Sequence, residues 1–91
     1  MTKRPDRAPL RSAILGALSQ MGEIEHARAD ELAEDPDANF DLVRVNFDSL
    51  TLIDFCLRIE TSTGIVIDPD EVVEFRTLNE LQAALAARSL S

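Results

Sequence analysis

Asp48-Ser49-Leu50-Thr51-Leu52-Ile53-Asp54-Phe55-Cys56-Leu57-Arg58-Ile59-Glu60-Thr61-Ser62-Thr63-Gly64 is the stretch on which the fold turns. Asp48 is a favoured helix N-cap and Gly64 a favoured stop, so the spacing predicts a helix over 49–63. Leu52, Phe55, Cys56 and Ile59 recur at i, i+3, i+4 and i+7, which makes one complete buried stripe. Leu50, Ile53 and Leu57 form a second apolar row. A small bundle needs one stripe per helix, so this row is surplus. With Asp54 and Glu60 beside it, it suits a docking face for a hydrophobic, basic partner. Ser49 places a hydroxyl at the helix N-terminus, where backbone N–H groups and the helix dipole favour a phosphate.

Toward the N-terminus, Leu10, Ile14, Leu18 and Met21 recur at helical spacing beside Ala13 and Ala17. That predicts a first helix starting near Pro9 and stopping at Gly22. Residues 23–41 hold eight acids and one Arg. A helical turn over 27–33 is compatible with the composition, but the segment reads mostly as a loop, long for so small a domain. Phe40, Leu42, Val45 and Phe47 are its expected anchors to the core. Toward the C-terminus, Ile65-Val66-Ile67 is an extended link with no second strand to pair with. Asp68-Pro69-Asp70-Glu71 starts a short helix that ends by Phe75 or Arg76. Thr77-Leu78-Asn79-Glu80 is a capping box for a last helix, buried through Leu78, Leu81 and Leu85 and fraying near Arg88. The expectation is an all-α bundle of three main helices plus one short helix. Residues 1–8 are expected to form a disordered basic terminus, 9–88 the domain and 89–91 a frayed end.

Ninety-one residues make at most one domain, with a modest core. Lys3, Arg4, Arg7 and Arg11 against Asp6 give the first eleven residues a net +3, leaving −11 on the remainder of a chain of net −8. The basic start reads as a solvated terminus. The acidic body favours basic partner surfaces and repels nucleic acid. One cysteine excludes an internal disulfide and implies no oxidising compartment. The apolar run after Ser12 is too short for a signal or membrane segment, so a cytoplasmic monomer with no membrane association is expected.

From residue 10 to about residue 87 the order of features resembles the acyl carrier protein family: a first helix, a long acidic loop, Asp48-Ser49-Leu50, an apolar helix, a short helix and a final helix. The resemblance implies an acyl-carrier-like four-helix bundle and a discrete carrier, not an enzyme. Ser49 would bear a covalent 4′-phosphopantetheine arm, whose thiol holds acyl or related intermediates as thioesters. Asp48 would help the phosphopantetheinyl transferase bind Mg²⁺ and position the hydroxyl. Leu50, Asp54, Leu57 and Glu60 match the family's partner-docking positions, and Ile53 lies beside them. The implied partners are that transferase and the loading and biosynthetic enzymes of fatty-acid, polyketide or other specialised pathways. The chain departs from the family at three places. Asn46 stands where Gly is common, and Asp68 intervenes before Pro69. Arg58 and Thr61 lie on or near the outer side of a less acidic second helix, which fits a dedicated carrier with its own partner set.

The rival readings are blander. Asp48-Ser49 is also an ordinary helix cap, which would make the chain an unmodified acidic helical interaction module. Asp35, Asp37, Asn39 and Asp41 stand at positions 1, 3, 5 and 7 of a calcium-loop frame. That frame then fails, with Phe40 at the Gly position and Asn46 where the bidentate Glu belongs, so no metal site is expected. Cys56 lies in the buried stripe as a small apolar filler. His26, the only histidine, stands in the acidic segment with no second ligand cluster and no nucleophile-elbow motif, so neither zinc nor Ser-His-Asp catalysis is expected.

Overall fold

The computed structural model describes residues 7–35, 37–45 and 47–89. Its elements are α1 (Arg7–Gln20), α2 (His26–Glu34), a single 3₁₀ turn (Leu42–Arg44), α3 (Ser49–Thr63), α4 (Pro69–Val72) and α5 (Leu78–Ser89). Helix α1 is central and packs against α2, α3 and α5, while α4 packs against α3. The described residues form no strand; Asp41 and Thr77 make an isolated antiparallel bridge. No helix among them is long and apolar enough to cross a membrane.

Helix α1 ends in a Schellman turn. Gly22 is left-handed at φ 80°, its N–H bonds Ser19 O at 3.1 Å, and the Glu23 N–H bonds Leu18 O at 2.9 Å. Helix α3 ends in the simpler left-handed cap, with Gly64 at φ 77° and its N–H on Glu60 O at 2.7 Å, while the Ile65 N–H turns to Thr63 Oγ1. The expected core is present. Ile14 and Leu18 of α1, Phe55 and Ile59 of α3, and Leu78, Leu81 and Leu85 of α5 are fully enclosed. Leu42 and Val45 are buried, Phe40 and Phe47 half-buried, and the Phe47 ring packs on Phe55 with centroids 5.3 Å apart. The capping box forms with a shift of one residue: Glu80 N–H bonds Thr77 Oγ1, and the Glu80 carboxylate accepts from the Arg76 N–H. Asp68 stands at the N-cap of α4 without a side-chain capping bond.

Two features differ from the sequence reading. The segment after α1 holds a full helix, His26–Glu34, where no more than a helical turn over 27–33 is expected from the sequence. Ala27, Ala29, Leu32 and Ala33 are good helix formers, and Ala29 and Leu32 are buried. The pattern is faint because only Ala29 and Leu32 of its nine residues are buried, with the small Ala33 packed at the edge of the core. The second correction concerns Arg11, assigned above to the solvated basic start. It is 2% exposed. Its Nε donates to Leu32 O (2.6 Å), Nη1 to Asn79 Oδ1 and Gln82 Oε1 (2.9 Å each), and Nη2 to Asp35 O (3.1 Å) and Ala38 O (2.6 Å). All five guanidinium donors are therefore used. Burial lowers the Arg11 pKa from its usual value, with Asp35 opposing. The carbonyls at the negative end of α2 serve in place of a bound carboxylate. Asn46 and residues 1–6, 90 and 91, named in the expectations above, lie outside the described residues.

Candidate functional site

The site is built on the first turn of α3. Asp48 is its N-cap, and its Oδ1 accepts the Thr51 N–H at 2.8 Å. That bond holds the Asp48 carboxyl below its usual range. Ser49, the first residue of the helix, is exposed. Its hydroxyl stands at the positive end of a fifteen-residue helix, beside an exposed carboxylate. This geometry favours a phosphate ester on the hydroxyl and leaves it open to a second protein.

What precedes Ser49 is held firmly. Asp41 Oδ1 accepts the Val43 N–H, Leu42 N–H bonds Arg76 O at 2.7 Å, and Leu78 N–H bonds Phe40 O at 2.8 Å. The approach to the serine is therefore tied to the start of α5. The oxygens of the calcium-frame residues serve the same end: Asp35 Oδ1 accepts from the Asp37 N–H, and Asn39 Oδ1 accepts from the Phe40 and Asn79 N–H groups.

Of the second apolar row, Leu50 is 79% exposed, Leu57 55% and Ile53 46%. They run along one side of α3, as their spacing requires. Asp54 and Glu60 flank them. Asp54 is half-exposed but already partnered: Arg58 Nε bonds its Oδ1 at 3.1 Å, and Arg58 Nη1 bonds Gln20 Oε1 of α1 at 2.8 Å. Arg58, a departure from the family in the sequence, is thus a partner of Asp54, a pairing not expected above although the i, i+4 spacing of the two residues is its local signal. Val43, Val66 and Val73 are also exposed apolar side chains. No periodicity marks them, since each lies in or beside a short element.

Cys56 is buried, and burial pushes its thiol pKa up, reinforced by Asp68 and Glu71. A thiol so placed is a poor nucleophile. His26 hydrogen-bonds Ser19 beside a shallow groove of about 270 Å³ between α1 and α2, whose lining includes Ser12, Gly16 and Asp30. Ser49 is not part of that lining, so the histidine and the serine of the α3 cap are not brought together.

A family profile described as the phosphopantetheine attachment site matches residues 18–85, well over half of the chain. Comparison with curated proteins and with solved structures returned no match.

Proposed function

The chain belongs to the phosphopantetheine-attachment family, and from that membership we propose that Ser49 is the residue that bears the arm. The family makes the chain an acyl carrier protein, not an enzyme, whose partners are a phosphopantetheinyl transferase and biosynthetic enzymes. The arm supplies the thiol on which acyl groups ride as thioesters. The observation that carries the Ser49 assignment is its exposure as the first residue of α3, next to an acidic cap, within the matched span. Among the described residues, the chain itself contributes three things. The helix dipole stabilises the phosphodiester. Asp48 caps the helix and presents a carboxylate beside the hydroxyl, where it serves the transferase's metal. The exposed row Leu50, Ile53 and Leu57 supplies apolar area for the enzymes that reach the arm.

The test is coexpression with a phosphopantetheinyl transferase and intact-mass measurement. The expected result is a gain of one phosphopantetheinyl group, abolished by Ser49→Ala and retained by Ser62→Ala. No gain with several transferases of different specificity, or a gain that survives Ser49→Ala, removes the assignment.

A further inference from the structure

We propose that Arg58 takes Asp54 out of charge recognition on the docking side of α3, so that a partner enzyme finds there one uncompensated carboxylate, Glu60, beside the apolar row of Leu50 and Leu57. This rests on the reading of α3 as the docking face. At about 100° per residue, Leu50 and Leu57 share one line along the helix, Asp54 and Arg58 stand on one flank, and Ile53 and Glu60 stand on the other. The first flank is internally neutral. The Asp54 carboxylate accepts from Arg58 at 3.1 Å, in the favourable order with the acid four residues before the base. The second Arg58 bond, to Gln20 of α1 at 2.8 Å, pins the guanidinium from a different element. A partner cation approaching Asp54 meets a positive charge within hydrogen-bonding distance of it, so attraction and repulsion nearly cancel.

Glu60 differs. It is exposed, and among the described residues its carboxylate has no hydrogen bond or ion pair. The chain's acidity is concentrated elsewhere: residues 23–41 hold eight acids against Arg28, while α3 holds Asp54 and Glu60 against Arg58. The complement of this face is therefore largely apolar with one positive group, not a basic patch.

The test uses the full chain and a phosphopantetheinyl transferase that loads it, reading kcat/KM for loading, with thermal melting to confirm that each variant folds. Glu60→Gln lowers kcat/KM about fivefold, whereas removing the pair together, Asp54→Asn with Arg58→Gln, changes it by less than about twofold. Arg58→Gln alone frees the Asp54 carboxylate and raises kcat/KM by about twofold or more. A loss from the paired removal equal to that from Glu60→Gln, or no gain from Arg58→Gln, overturns the proposal. If Leu50→Ala and Leu57→Ala leave loading unaltered, the docking face itself is wrong and the proposal falls with it. If the wild-type chain is not loaded by any transferase, the Ser49 assignment fails first.

Discussion

Arg11 shows what a single residue does to this fold. Its guanidinium is enclosed, and its five donors reach the end of α2, the segment after it and the first turns of α5. Removing it strands carbonyl and amide oxygens inside the protein, and the cost of unmade buried hydrogen bonds exceeds the value of the bonds themselves. Arg11→Met is expected to destabilise the domain by about 2–4 kcal/mol. Arg11→Lys is expected to recover only part of that loss, because an ammonium has three donors and no planar fork. Urea denaturation of the three proteins checks both statements. The sequence held no local sign of this role. Arg11 stands among other basic residues, and its partners lie 21 to 71 positions away. Asp48 is the opposite case: its partner is three residues on, and the cap was legible from the sequence alone.

The helices divide in the same way. Helix α3 was readable because its boundaries are chemical, Asp48 at one end and Gly64 at the other, and its stripe is regular, with Phe55, Cys56 and Ile59 buried and Leu52 half-buried. Helix α2 was not, because its charged side chains mask a stripe of two. The two helices make a pair of contrasting predictions. Leu32 of α2 is fully buried, so Leu32→Ala is expected to cost about 2–4 kcal/mol. Leu57 of α3 is more than half exposed, so Leu57→Ala is expected to change stability by less than about 0.5 kcal/mol while slowing transfer to partner enzymes. Chemical denaturation and a loading assay on the same two variants separate the roles. If Leu57→Ala unfolds the domain, Leu57 is core; if Leu32→Ala is silent, α2 is not docked.

The molecule as a whole carries net −8 on 91 residues, and most of its acids are exposed. Described ion pairs neutralise only Glu31, Asp54 and Glu71, through Arg28, Arg58 and Arg88. Self-repulsion of that size opposes the compact state, and salt screens it over about 8–10 Å at physiological ionic strength. The melting temperature is therefore expected to rise between low-salt buffer and 0.15 M NaCl (about the physiological value), by a few degrees; a fall on adding salt contradicts this. The all-α class, the order of α1, α3, α4 and α5 and the position of the candidate serine followed from spacing and caps, which are local. The long-range ties of the segment between α1 and α3 did not, since neither hydrogen-bonding partner announces the other.

The Arg11 clamp also sets an order of assembly. Two of its five acceptors, Asn79 and Gln82, belong to α5, 68 and 71 positions further along the chain. During synthesis the guanidinium therefore emerges from the ribosome long before the side chains that complete its shell. Until α5 follows, the cation stays hydrated or only partly enclosed, and α1 cannot close over its core as it does in the finished domain. The buried cation thus reaches its full set of acceptors only when the last helix is in place, which makes closure of the core a late event in the life of the chain.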